Sequence, residues 1–347
     1  MRRYGFFGAT ARAQEFTMKF ATLTINDSQH EFIKMYKTEI EKATNGRIKV
    51  EVYPAGQLGN AQRQTEGLRL GTIEGVSGPS ELFVGADQRF QAPAMAGLFK
   101  DAEHARKVLA TPAFRQGIAE MAATRGMILI SVHLFDMQSF VYKTPVTKLA
   151  DFAGKRTRVL ASEAEQQAVS ALGGAPVPMT LGEVLPAIQQ GTIDGASSGM
   201  PVFLAFKYHD AAPNQIDTHL WAVVTLGLVS KPWFDKLPAD LQKAVRDAAA
   251  KVEPELVKWS VTRAEAVSKA WLAAGGKTIK LSDAEQAEAV GALKPTGEPE
   301  TSGDQGPTPE ERAATEERRN LANGSRADEF RTESPDPRVD AVKAGRE

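Results

Sequence analysis

The 347-residue chain contains no cysteine. That excludes disulfides, thiolate metal sites, iron–sulfur ligation and a cysteine nucleophile. It leaves the compartment open, because an exported protein can fold without disulfides. No apolar run approaches the ~20 residues that span a bilayer. Neither sign of charge dominates: 42 Lys plus Arg stand against 43 Asp plus Glu, for a net charge of −1. A broad basic face for nucleic acid is therefore not expected. Catalytic signatures are missing as well. The five histidines (His30, His104, His133, His209 and His219) form neither HExxH nor HxH. There is no GxSxG nucleophile elbow and no GxxxxGK[ST] phosphate loop. Residues 191–195 (GTIDG) read as a helix stop followed by a strand start, and isolated acids such as Glu66 and Asp194 as solvated or capping groups. No catalytic residue, metal ligand or cofactor is assigned, and an enzyme is not expected.

What remains is an ordinary globular composition, 42% apolar and 24% charged, over a length that suits two domains. Both ends differ from the body. Residues 1–13 (MRRYGFFGATARA) place Arg2 and Arg3 before Ala11-Arg12-Ala13, an A-x-A-like cleavage site. The apolar stretch between them is shorter than the usual h-region of about 7–15 residues. A secretory-signal remnant and a plain disordered N-terminus both fit. The last 54 residues, from Lys294, hold 22 charged residues, 6 prolines and 10 apolar residues. Such a segment cannot bury enough surface to offset its ordering entropy, so a disordered tail is expected.

The body alternates strand and helix patterns. Expected strands cover 19–25, 47–53, 72–76, 127–133, 139–142, 156–160, 192–197, 221–229 and 277–281. Expected helices cover 30–43, 62–70, 102–109, 112–124, 162–172, 181–190 and 283–293. Phe32, Ile33, Tyr36 and Ile40 recur at helical spacing. Asn45-Gly46 and Gly191 supply helix stops. Ser162 with Glu165 three residues later reads as a capping box. Residues 238–274 read as one long helix with a kink at Pro254. Strands alternating with helices predict parallel-rich sheets covered by helices, and two such sets predict two lobes with a ligand cleft between them.

Several blocks then resemble, in order, the solute-binding proteins of TRAP transporters, the DctP-type family: RIKVEVYP (47–54) with GQLG (56–59), LGTI (70–73), FKDAEHA (99–105), GKRTRV (154–159), PVPMTLGEV (176–184), QGTIDG (190–195) and WFDKLP (233–238). The resemblance covers residues 17–292. It implies an α/β, two-lobed periplasmic solute-binding fold, type II-like, with a long helix connecting the lobes. It divides the chain into a signal-peptide remnant (1–13), lobe I (14–135), lobe II (136–222), the lobe I return with the start of the long helix (223–252), the rest of that helix with the lobe II return (253–293), and a tail (294–347). It further implies a periplasmic receptor that binds an organic acid through its carboxylate and delivers it to the TRAP permease membrane subunits. A two-lobed sensor or an enzyme of other chemistry is the alternative.

The resemblance also implies a ligand set. Arg158 takes the anchoring position in GKRTRV, where a planar guanidinium pairs bidentately with a carboxylate. Arg156, two residues away on the same strand face, is the register alternative. Gln138 stands where many relatives carry a second arginine, which points to a monocarboxylate with a polar tail. Ser198 replaces a frequent asparagine and Leu181 a frequent phenylalanine. Ser80, His219 and Trp221 fall near other contact positions, with Trp221 readable equally as core and His219 as a loop residue.

Overall fold

The computed structural model of the chain describes residues 16–293. The expected signal remnant (1–13) and polar tail (294–347) lie outside them. Strand β1 (Phe16–Ala21) pairs in parallel with β2 (Ile48–Tyr53), register Phe16 to Ile48, with helix α1 (Ser28–Ala43) between them. β1 ends earlier than its apolar run suggested. Thr22 and Thr24 turn their hydroxyls onto Gln29 Oε1 at 3.0 and 3.4 Å. Asp27 caps α1 by accepting from the Gln29 and His30 N–H groups, and the expected stripe of Phe32, Ile33, Tyr36 and Ile40 is buried. Helix α2 (Ala61–Leu70) ends at Gly71 in a left-handed conformation (φ +78°) and leads to β3 (Gly75–Pro79). Helices α3 (Ala102–Leu109) and α4 (Pro112–Thr124) have the expected bounds and precede β4 (Met127–Met137).

At Gln138 the chain leaves the first sheet and enters a second as β5 (Ser139–Tyr142). Then follow β6 (Arg156–Val159), α5 (Glu163–Ala171), β7 (Ala175–Pro178), α6 (Leu181–Gln190), β8 (Gly195–Ser198), α7 (Met200–Ala205) and β9 (Asn214–Asp217). Residues 218–221 carry the chain back to β10 (Ala222–Ser230) in the first sheet. A short α8 (Lys231–Phe234) precedes the long α9 (Ala239–Ala273), and β11 (Lys277–Lys280) and α10 (Asp283–Leu293) return to the second sheet region. The sequence pattern missed β7, β9, α7 and α8. Each is short, and β7 carries two prolines at the sheet edge, where a missing N–H is tolerated.

The sheet orders are β2-β1-β3-β10-β4 and β11-β9-β5-β8-β6-β7. Pairs among β1, β2 and β3 and among β6, β7 and β8 are parallel. The pairs made by β10 with β3 and β4, and by β5 with β8 and β9, are antiparallel. With β9 and β11 also parallel, parallel pairs are in the majority, and the expected parallel-rich sheets are mixed. β5 and β10 are the strands that arrive from the other sheet, so they run opposite to neighbours reached by helical crossovers.

Helix α9 joins the two cores. Leu241, Val245, Ala249, Val252 and Leu256 pack with α1 and β1 residues, whereas Trp271 lies in a cluster with Phe203 of α7, Tyr208 and the second-sheet residues Val141 and Ala196. The helix is continuous across Pro254. Glu253, just before it, pairs with Arg115 at 2.5 Å and accepts the Val132 N–H at 3.0 Å, tying α9 to α4 and β4. Among the described residues no helix is long and apolar enough to cross a membrane.

Candidate functional site

The two crossovers lie side by side. The Gln138 N–H donates to the Trp221 carbonyl at 2.8 Å, and the Thr218 hydroxyl to the Gln138 carbonyl at 3.2 Å. Where the strand ends of both sheets face each other, they enclose a cavity of about 580 Å³, within the size range of small-molecule sites. The first sheet side contributes Thr24, Gln29, Asn60 and Gln62, and the second contributes Arg158, Glu165, Leu181 and Ser198, with Gln138 at the crossover.

Arg158 is carried by β6, flanked by β7 and β8, and is only 4% exposed. Its Nε–H donates to the Met179 carbonyl at 2.9 Å and Nη1 to the Ser197 carbonyl at 3.2 Å. These two backbone acceptors fix the plane of the guanidinium. Among the described residues no carboxylate lies within ion-pair distance of it, and Nη2 makes no hydrogen bond. Burial pulls its pKa below the ordinary value, while the charges of Glu165 and Tyr208 act in the opposite direction. A buried, oriented, unpaired cation at a cavity wall is suited to an anionic ligand. Arg156, its register alternative, is in a different setting. Its side chain is 45% exposed and grips Asp194 through Nε and Nη2 at 3.0 and 2.8 Å.

Glu165 is the residue that the sequence pattern misassigned. The Ser162 hydroxyl does accept the Glu165 N–H at 3.4 Å, but the Glu165 carboxylate does not return to the cap. Its Oε2 accepts instead from the Leu160 N–H at 2.9 Å and the Ser197 hydroxyl at 3.1 Å. At α6 it is the Glu183 carboxylate that returns to the cap, accepting from the Thr180 N–H at 3.0 Å and the Thr180 hydroxyl at 2.6 Å. Burial raises the pKa of Glu165, with Arg158 acting against that rise.

Neutral polar groups complete the wall. Gln138 is fully buried, and its amide nitrogen donates to Ser197 Oγ at 2.8 Å while Oε1 has no partner. Gln29 Oε1 is occupied by the two threonine hydroxyls and Asn60 Oδ1 by the Arg63 N–H. Their amide nitrogens make no hydrogen bond among the described residues. The cavity thus offers donors at Arg158, Gln29 and Asn60 and acceptors at Gln138 and Glu165. Leu181 opens α6 and, with Phe135 and Phe206, supplies apolar wall.

Arg158, Gln138, Ser198 and Leu181 therefore meet at one cavity, and three other candidates do not line it. Ser80 is buried, with Oγ 3.3 Å from Glu81 Oε2, and Pro79 takes the wall in its place. Trp221 is core: 1% exposed, edge-on to Phe140 at 6.1 Å. His219 belongs to the return crossover, in left-handed backbone (φ +47°), with Nε2 2.6 Å from Asp217. Gln29 and Asn60 were not singled out in the sequence, and Glu165 was read there only as a capping residue; Asn60 does cap α2, which explains it locally without a ligand. Among the described residues no cluster of His, Asp and Glu is suited to a metal ion.

The sequence model of the bacterial extracellular solute-binding protein family 7, DctP, matches residues 21–299. A solute-binding protein of Verminephrobacter eiseniae is 31% identical over 296 residues, 83% of this chain and 85% of its own length. The C4-dicarboxylate-binding periplasmic protein DctP of Rhodobacter capsulatus is 27% identical over 243 residues, 69% of this chain and 72% of its own. The solved structure of a TRAP periplasmic solute-binding protein from Xanthobacter autotrophicus Py2, with bound β-D-galacturonate, is similar at a TM-score of 0.76. It is 27% identical and covers 80% of this chain and 93% of that one.

Proposed function

The chain belongs to the bacterial extracellular solute-binding protein family 7, and from that premise we propose that it captures a hydroxylated organic acid by its carboxylate and delivers it to a TRAP membrane permease. The family consists of periplasmic solute receptors and not enzymes, and the chain is one of them.

The observation that carries the ligand reading is the guanidinium of Arg158, buried, held by two backbone carbonyls and directed at the cavity without a carboxylate partner of its own among the described residues. In this reading Arg158 anchors the ligand carboxylate. Gln138, a neutral group in place of a second cation, accepts from a ligand hydroxyl through Oε1, and Ser198 and Leu181 shape the pocket. Gln29 and Asn60 donate to the ligand's distal oxygens from the first sheet. With Glu165 also at the wall, a second ligand carboxylate would meet a negative charge, so a monocarboxylate bearing hydroxyls fits better than a dianion. The similar Xanthobacter protein holds a ligand of that kind, galacturonate.

A thermal-shift screen of sugar acids, hydroxy acids and dicarboxylates, followed by titration calorimetry on the hits, tests the reading. Absence of binding by every monocarboxylate would overturn it. Uptake by reconstituted permease subunits, measured with and without the chain, tests delivery.

A further inference from the structure

We propose that Thr22, buried behind the cavity wall, is a positioning residue that sets what the first sheet accepts in a ligand. It holds the Gln29 amide with its oxygen turned inward and its nitrogen turned to the cavity. The far end of the ligand is then selected as a hydrogen-bond acceptor, and ligands that carry an ammonium there are rejected. The selectivity part rests on the ligand reading above; the positioning part does not.

Thr22 follows β1 and is fully buried, and it does not line the cavity, whereas Thr24 and Gln29 do. Its backbone is held on both sides: the N–H donates to the Tyr53 carbonyl at 3.0 Å, and the carbonyl accepts the Gly56 N–H at 3.0 Å. Thr22 Oγ1 accepts the Thr24 N–H at 3.3 Å, and its hydroxyl donates onward to Gln29 Oε1 at 3.0 Å. The Thr24 hydroxyl reaches the same oxygen at 3.4 Å.

The two ends of a primary amide have one shape and opposite chemistry, since the oxygen accepts and the nitrogen donates. Turning the Gln29 amide over would bring an NH2 group against two hydroxyls. The Thr22 hydrogen would then be left with Thr24 Oγ1, at 3.3 Å, as its acceptor. The Gln29 main chain is fixed as well, its N–H donating to Asp27 Oδ1 at 3.1 Å. Gln29 Nε2 makes no hydrogen bond among the described residues and is not sealed from the cavity.

The rest of this wall points the same way. Asn60 Oδ1 accepts the Arg63 N–H at 3.0 Å, which leaves its amide nitrogen for the cavity. The Thr24, Gly56 and Gly59 carbonyls already accept from the Ala55 N–H, the Gly59 N–H and the Gln64 side chain. Gln62 is exposed, with its amide in water. Among the described residues no Asp or Glu lines the cavity from the first sheet, because Glu165 and Glu183 both belong to the second. An ammonium at this wall would lose water and meet oriented NH2 groups with no carboxylate to offset the loss. A hydroxyl or carbonyl oxygen would accept from them.

The probes are D-galacturonate and its 2-amino-2-deoxy analogue, whose amine stands across the ring from the carbon that bears the carboxylate. Both are titrated by calorimetry at pH 6.5, where the amine is protonated. The wild type should prefer galacturonate by about tenfold or more. Thr22→Val keeps the side-chain shape and removes the hydroxyl, which frees the amide to turn over. Galacturonate should then lose about threefold to tenfold in affinity, the effect of one hydrogen bond. The preference over the amino analogue should shrink by about threefold or more, and Thr22→Ser should restore both values. A merely structural role would lower both affinities alike and leave their ratio unchanged.

A neutron structure of the unliganded protein reads the amide directly and should place the Thr22 deuteron on the line to Gln29 Oε1. Should Thr22→Val fail to fold by circular dichroism, Gln29→Glu, which puts an oxygen where the nitrogen stands, must bring the amino analogue level with galacturonate or ahead of it. An unchanged preference in a folded Thr22→Val variant, or a deuterated amide nitrogen facing the threonines, overturns the proposal. Galacturonate binding with no preference over the amino analogue removes the selectivity and leaves the ligand reading. If neither acid binds the wild type, the ligand reading and the selectivity fall together, and the neutron map decides the positioning alone.

Discussion

Replacing Arg158 by alanine removes the one guanidinium that the cavity wall holds buried and oriented. A carboxylate enclosed between the sheets has lost its water, and an unpaired buried charge is costly. Truncating one partner of a buried, hydrogen-bonded charge pair costs about 2–5 kcal/mol, roughly a 30- to several-thousand-fold loss of affinity. The same change strips donors from the Met179 and Ser197 carbonyls. Each buried acceptor left unmade costs about 1–3 kcal/mol, so a lower melting temperature is expected alongside the binding loss. Arg158→Lys separates the two effects. An ammonium keeps the charge but loses the planar fork, so it should recover only part of the affinity. Arg156→Ala is the internal control: its guanidinium grips Asp194 at the surface, and affinity should stay within about twofold, under ~0.4 kcal/mol. The assay is titration calorimetry with the tightest acid that the wild type binds, with circular dichroism to establish folding. A folded Arg158→Ala variant that binds within about threefold of wild type, ~0.7 kcal/mol, would refute the anchoring role.

Gln138→Arg should raise the preference for dicarboxylates over monocarboxylates, because a charge-assisted bond of about 1.5–3 kcal/mol becomes available at the crossover; an unchanged calorimetric preference would show that residue 138 does not meet the ligand's far end. Gly195→Ala should destabilise the second sheet by at least about 1–3 kcal/mol, since its Cβ would fall 2.1 Å from the Val141 carbonyl oxygen; a melting temperature equal to wild type would contradict that packing. Burial holds the His133 ring down from 6.5 to about 4, so between those values the unfolded chain binds the extra proton and stability rises with pH. His133→Gln should lower that slope by up to about 1.4 kcal/mol per pH unit, read from denaturant midpoints between pH 4 and 6.5.

The elements whose signals are local were legible in the sequence. Helices α3, α4, α6 and α10 have the bounds that apolar spacing, Pro112 and Gly191 indicate. Where a tertiary contact competes with the local signal, the reading shifted. β1 ends before its apolar run because past Ala21 the Thr22 and Thr24 carbonyls accept from Gly56 and Ala55 in the turn after β2 while their hydroxyls serve Gln29, and β4 continues to Met137 because β10 pairs along its length.

The site divides in the same way. The ordered blocks of sequence that resemble the family were enough to bring out Arg158, Gln138, Ser198 and Leu181, four residues that line one cavity. Sequence spacing alone could not choose between Arg156 and Arg158, which share one face of a strand. The choice lies in the neighbours: Arg158 is enclosed where β6 meets β7 and β8, and Arg156 reaches Asp194 at the exposed start of the strand. Ser162-x-x-Glu165 is a sound capping signal in isolation, but Ser197, 32 residues downstream, draws the carboxylate away from the cap and toward the cavity. Trp221 and His219 lie two residues apart at the same crossover, one sealed against Phe140 and the other paired with Asp217. Hydrogen bonding and apolar spacing within a few residues are written in the chain itself. Which side chain faces the cavity depends on the sheet neighbours that folding brings together from distant segments, and here that was decided only by the tertiary structure.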